Sequence, residues 1–129
     1  MPDILIVEDN PVNQKLIASL LGRSGYTFEI AENGQVALAR LETTPYRLVL
    51  MDMMMPVMNG YDATRAIRAN PKTGGLPIIA LTANAMKGEE EKCRMVGCDD
   101  YIPKPYSKDQ ILTAVAKFIG KAAGAPPPK

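Results

Sequence analysis

The chain has 129 residues, 47% apolar and 22% charged, with a formal net charge of +1 and no histidine. That length supports one domain with a proper core and not two. The balance argues against a nucleic-acid surface, which would show a basic stripe; the uncharged apolar runs are far short of a membrane span; and two cysteines without a histidine make a zinc site unfavourable.

The lack of histidine also means that any imidazole chemistry must come from a partner. The N-terminus, "MPDILIVEDN", has no basic region and no cleavage site, so a cytoplasmic chain with Cys93 and Cys98 reduced is expected.

The run "DILIV" at 3–7 is short, β-branched and continuous, as a strand buried on both faces would be. It ends at Glu8-Asp9-Asn10, and Pro11 suits the first position of a helix capped by Asn10. In that helix Val12, Leu16 and Leu20 recur at helical spacing, with Ile17 and Leu21 beside them, and predict an inward stripe. "TFEIAE" at 27–32 alternates, which predicts an edge strand with Phe28 and Ile30 on one face. A second helix over 34–42 carries Ala37, Leu38 and Leu41, and "YRLVLM" at 46–51 is a buried strand ending at Asp52.

A loop rich in Met, Pro and Gly leads to a third helix at "YDATRAIRAN", then to the turn-dense "NPKTGG". "LPIIALT" at 76–82 is another buried strand. "NAMKGEEEKCRMVG" reads as a helix with few apolar anchors, and "DYI" as a short strand. The final helix has a good stripe in Ile111, Leu112, Val115, Phe118 and Ile119. The domain is expected over 1–121, with 122–129 as a Pro/Ala-rich tail or linker stub.

Five strands alternating with five helices predict an α/β fold with a parallel sheet covered on both faces. In such sheets the site lies at the carboxyl ends of the strands. There the chain places Glu8 and Asp9, Asp52, Thr82 and Lys104. Three converging carboxylates repel one another, and an unrelieved cluster raises at least one pKa. Oxygen-only ligands point to a hard divalent cation, Mg²⁺, with a lysine neutralising what remains. The same parts suit phosphoryl transfer, with Asp52 as nucleophile, Thr82 bonding the phosphate and Lys104 pairing with it.

The segments "ILIVEDNPVN", "LVLMDMMMPVMNGYD", "IIALTANAM" and "GCDDYIPKP" resemble the receiver domain of two-component response regulators over about residues 3–120. The flavour is closest to receivers of hybrid sensor kinases and some single-domain cell-cycle regulators. The resemblance implies a flavodoxin-like five-stranded sheet of order 2-1-3-4-5. It implies Asp52 as phosphoacceptor and Glu8, Asp9, Asp52 and the Met54 backbone carbonyl as ligands of Mg²⁺, or of Mn²⁺ in its place. Thr82 and Tyr101 match the family's switch pair, and Lys104 its phosphate-contacting lysine. Lys104-Pro105 matches a peptide bond usually cis in the family, and Pro56 and Gly60 the loop that shapes the pocket. Met53, Met54 and Asn84 stand where receivers tune phosphoryl lifetime.

The implied donor is a phosphohistidine on a sensor kinase or phosphotransfer protein. The implied output surface is formed by the fourth helix, fifth strand and fifth helix, on a monomer or weak dimer without nucleic acid or membrane. A start so near the first strand favours a stand-alone regulator over an excised receiver. Rival readings are a non-phosphorylated adaptor, a phosphatase with an aspartate nucleophile and a flavin carrier. The phosphatase needs a second aspartate where Met54 stands, and the acidic "EDNPVN" would repel a flavin phosphate.

Overall fold

The computed structural model describes residues 2–54, 58–82, 87–104 and 106–120. The strands are β1 (Ile4–Val7), β2 (Phe28–Ala31), β3 (Leu48–Asp52), β4 (Ile78–Thr82) and β5 (Asp100–Pro103). Alternating with them are α1 (Pro11–Arg23), α2 (Gly34–Thr43), α3 (Gly60–Ala69), α4 (Lys87–Val96) and α5 (Lys108–Ile119). All strand pairings are parallel, in the order β2-β1-β3-β4-β5. The flavodoxin-like architecture expected from the sequence is present.

Alternation along each strand divides the core into two. Leu5, Val7, Val49, Met51, Ile78 and Ala80 face the side covered by α2, α3 and α4. Ile4, Ile6, Leu48, Leu50, Ile79 and Leu81 face the side covered by α1 and α5. Both faces are buried, which is why β1, β3 and β4 read as continuous apolar runs. β2, at the edge, carries the half-buried Phe28 and Ile30 together against the α1/α5 side, as its alternation predicts.

One helical reading is corrected. In α1 the buried residues are Ile17 and Leu21, while Val12 is 73% exposed and Leu16 48%. Of Val12, Leu16 and Leu20 only Leu20 packs inward, and then partly, while Ile17 and Leu21 beside them are fully buried. The helix rolls so that the Ile17/Leu21 edge meets the sheet, leaving Val12 and Leu16, in its first two turns, open to water. α5 behaves as expected, with Ile111, Val115 and Ile119 buried and Leu112 and Phe118 half-buried. The loop reading at Pro56, Asn84 at its tuning position, the Lys104-Pro105 bond and the tail at 122–129 fall outside the described residues.

The amino edge of the sheet is tied by two arginines. Arg47 donates from Nη2 to the Ile119 carbonyl (2.8 Å), and the Tyr26 hydroxyl donates to the Gly120 carbonyl (2.8 Å), so both hold the end of α5. Arg68 donates from Nε to Gly97 O (2.8 Å) and from Nη1 to Gly74 O (2.9 Å) and Leu76 O (2.6 Å). Its Nη2 meets Asp99 Oδ2 at 2.7 Å, and that oxygen also accepts from the Ile78 N–H (2.9 Å). Gly97 sits at φ +113, where a side chain would be strained and would strike Arg68 Cγ at 2.7 Å. One guanidinium thus joins α3, the loop before β4 and the turn before β5.

Replacing Arg68 with alanine is expected to lower unfolding stability by about 2–3 kcal/mol, because several partly buried carbonyls lose their donor at once. Urea denaturation checks this, and Arg68→Lys should recover less than half, since an ammonium cannot span the same acceptors.

Candidate functional site

The site is built where β1, β3, β4 and β5 end. Val7 pairs with Met51 and Asp52 with Leu81, so Glu8 and Asp9, just beyond β1, stand beside Asp52 at the end of β3. Carboxylate oxygens of Glu8, Asp9 and Asp52 lie within 4.8 Å of one another. Glu8 and Asp52 are buried (1% and 2% exposed), whereas Asp9 is open to solvent.

The first turn of α1 organises this corner. The Asn10 side chain caps the helix, accepting from the N–H groups of Val12 (2.8 Å) and Asn13 (3.3 Å). Its own N–H donates to Glu8 Oε1 (3.2 Å), which also accepts from Asn13 Nδ2 (3.4 Å). Gln14 Nε2 donates to the Glu8 carbonyl (2.7 Å). One oxygen of Glu8 is therefore occupied, while the other, Oε2, is buried without a hydrogen bond among the described residues.

Lys104 Nζ stands 3.6 Å from Glu8 Oε2 and 3.6 Å from Asp52 Oδ1. Even so, burial and then the Asp52 charge push the Glu8 carboxyl up to about 7, against the pull of Lys104. One ammonium does not neutralise three carboxylates. The orphaned Oε2, the oxygen-only donor set and the surplus negative charge together fit a hard divalent cation such as Mg²⁺.

Thr82 ends β4, fully buried, and its carbonyl accepts from the Lys104 N–H (2.6 Å), fixing the lysine to the neighbouring strand end. Tyr101, paired in register with Ala80, is half-buried and packs on the α4 side of the core. Burial, with Cys93, Glu89 and Glu90 nearby, raises its phenol pKa. Sequence-predicted Glu8, Asp9, Asp52 and Lys104 thus converge, Thr82 lies on the adjacent strand end, and Tyr101 stands outside the carboxylate cluster. The Met54 N–H donates to Asp52 Oδ1 (3.1 Å), holding the acceptor candidate from its own chain.

Residues that sequence reasoning passed over are Asn13 and Gln14, which position Glu8, and Tyr106, whose buried hydroxyl has no hydrogen-bond partner among the described residues. The polar run "NPVNQ" immediately after the acidic pair was the available signal for the first two.

A model of the response regulator receiver domain matches residues 4–116. The chain belongs to that family. It is 43% identical over 124 residues to the sensor histidine kinase GacS of Pseudomonas protegens, covering 94% of this chain but only 14% of that kinase. It is 42% identical to the receiver domain of sensor histidine kinase PA1611 from Pseudomonas aeruginosa, with a TM-score of 0.86 over 93% of this chain and 98% of that one. The PA1611 domain was solved with a magnesium ion coordinated in its active-site cleft. The receiver domain of Ssk1 from Saccharomyces cerevisiae, co-crystallised with the histidine phosphotransfer protein Ypd1, is 30% identical with a TM-score of 0.84. That match covers 91% of this chain and 89% of the other. The receiver is thus a domain of two-component signalling, and among its described residues no helix is long and apolar enough to cross a membrane.

Gly60 is the feature of the receiver site most exposed to a simple test. Its N–H donates to Met53 O (3.2 Å), and a Cβ there would lie 2.5 Å from Asp52 O and 2.6 Å from Met53 Cα. Gly60→Ala is expected to cost about 1–3 kcal/mol in thermal or urea unfolding, since backbone on both sides must give way. Gly75, with nothing within 4 Å of an added Cβ, is the control that should show no clash.

Proposed function

We propose that this receiver is a cytoplasmic phosphorylation switch in which Asp52 accepts a phosphoryl group from a partner phosphohistidine. The observation that carries the reading is the convergence of two buried carboxylates, a third exposed one and Lys104 at one sheet edge. Glu8, Asp9, Asp52 and the Met54 carbonyl would hold Mg²⁺, or Mn²⁺ in its place, which supplies neutralisation of the phosphoryl oxygens as charge moves onto them. A carboxylate oxygen of Asp52 attacks phosphorus in line with the departing group. Asp52 Oδ1 is already oriented by the Met54 N–H and Lys104, so little reorganisation precedes attack. Lys104 then pairs with the new phosphoryl oxygens, and the Thr82 hydroxyl bonds to one of them.

Drawing Thr82 toward the phosphate frees space that Tyr101 enters, and the face made by α4, β5 and α5 changes shape for a downstream protein. This is a shift between two populations, set by how much better the phosphorylated form fits one of them. The domain turns over no external substrate and assists only its own phosphorylation and dephosphorylation.

A histidine kinase or phosphotransfer protein as donor is supported by the partner of the Ssk1 receiver and by the kinase relative. It is also supported by the exposed apolar side chains of Val12, Leu16 and Met54, which follow the acidic residues in sequence. A phosphatase is disfavoured because Met54 occupies the position its acid/base aspartate requires.

Incubation with acetyl phosphate and Mg²⁺ should add a single phosphoryl mass. The addition should vanish in Asp52→Asn and with chelator, and its rate should fall about a hundredfold in Lys104→Ala. Intact-protein mass spectrometry reads all three. No addition to the wild type, even from a cognate phosphohistidine protein, would leave the adaptor reading standing. Steady release of phosphate from assorted phosphoesters would favour the phosphatase, and a flavin-bound preparation the carrier.

A further inference from the structure

Gly34 opens α2 and is buried, yet its backbone is that of an ordinary helix. Glycine is a poorer helix former than alanine, so its presence here has to be explained by space rather than by conformation. A Cβ at Gly34 would lie 2.9 Å from Met58 Cγ, 3.0 Å from Met58 Cβ and 3.0 Å from the Met58 carbonyl oxygen. The last two belong to or adjoin the backbone, so a change of rotamer alone does not relieve the contact.

α2 is not free to give way either. Ala37 and Leu41 are buried in the core beneath it, and the Asn33 side chain caps it by accepting from the Val36 N–H (2.9 Å). Met58 packs, partly buried, against that same cluster. Beyond Met58 and the Asn59 cap of α3 comes Gly60, whose N–H bonds Met53 O and which leaves no room for a Cβ beside Asp52 O (2.5 Å) or Met53 Cα (2.6 Å). The stretch 58–60 is thus in close contact with the first residue of α2 at its start and with the Asp52–Met53 backbone at its end.

On the reading of Glu8, Asp9 and Asp52 as a metal site, we infer that Gly34 is a positioning residue for that site. By leaving out a side chain it lets Met58 close onto α2, and through Gly60 that seating fixes where the end of β3 presents Asp52. With a side chain at position 34, Met58 has to shift, and the shift must be absorbed before Gly60, which has no slack of its own. What moves is then the Asp52–Met53 backbone, and with it the Asp52 carboxylate and the Met54 N–H that orients it (3.1 Å). Glu8, held from α1 by Asn10 and Asn13, keeps its place. One carboxylate of the three is displaced from the others, which weakens the hold on a cation while the sheet stays intact. Gly34 touches none of the three and acts only through Met58 and Gly60.

The test is the Mg²⁺ Kd of the whole chain by titration calorimetry, with urea unfolding run on the same samples. Gly34→Ala should raise the Kd about tenfold, the low end of what residues aiming a metal ligand contribute. Gly75→Ala, which meets nothing within 4 Å, should keep the wild-type value. Met58→Ala removes the nearest of the three atoms, so the double variant Gly34→Ala/Met58→Ala should bind Mg²⁺ more tightly than Gly34→Ala and less tightly than Met58→Ala. A fall in unfolding stability with an unchanged Kd overturns the inference, because Gly34 is then a packing residue only. So does a double variant that binds no better than Gly34→Ala, since the effect then does not run through Met58. Should Gly34→Ala not fold, the double variant compared with Met58→Ala carries the test, and equal Kd values overturn it. Absence of Mg²⁺ binding by the wild type would instead remove the metal-site reading on which the inference rests.

Discussion

Three carboxylates brought within 4.8 Å, two of them out of water, form an arrangement that the fold must oppose with positive charge. Burial, and then the neighbouring Asp52 charge, raise the cost of ionising Glu8. The raised pKa of Glu8 is the visible residue of that conflict, since Lys104 offsets only part of it. A cluster of this kind persists in a folded protein because something else over-determines it. Here that is the parallel register, which brings the ends of β1 and β3 together whatever the side chains prefer.

The molecule is accordingly divided between its two edges. At the amino edge, Arg68, Arg47 and Tyr26 satisfy carbonyls at helix and loop ends and so hold α3, α5 and the turns around them. Those contacts are ordinary stabilisation, far from any reacting atom. At the carboxyl edge, hydrogen bonds are spent on aiming Glu8 and Asp52 rather than on neutralising them: Asn10, Asn13 and Gln14 fix Glu8, and the Met54 N–H fixes Asp52. Rigidity at one edge lets strain at the other persist without loosening the sheet.

Strand identities and the sheet's two covered faces were legible because β1, β3 and β4 are apolar on both faces. Glu8, Asp9, Asp52 and Lys104 were legible for a complementary reason: charge at the end of an apolar strand has few structural uses. Positions whose meaning lies in contact geometry were not legible. Sequence alone assigned Gly60 to a loop, yet its constraint is the 2.5 Å approach of Asp52 O. Nothing in the sequence singles out Arg68, because its acceptors are carbonyls contributed by distant turns. Nothing in the sequence singles out Tyr106, because a missing hydrogen bond leaves no mark there.

The misread stripe on α1 carries a broader lesson about apolar periodicity. Val12, Leu16 and Leu20 obey helical spacing as well as Ile17 and Leu21 do, and nothing local says which set turns inward. The sheet decides, because a helix can roll only until one edge fills the groove beside β1. Val12 and Leu16, left outside, belong to the same turns that deliver Asn10 and Asn13 to Glu8. Rolling them into the core would carry those two asparagines away from the acidic corner. The exposed apolar residues and the oriented carboxylate are therefore two consequences of one helix rotation. Leu16 and Lys104 line one cleft, so the same rotation leaves an apolar side chain open to water beside the lysine that pairs with Asp52.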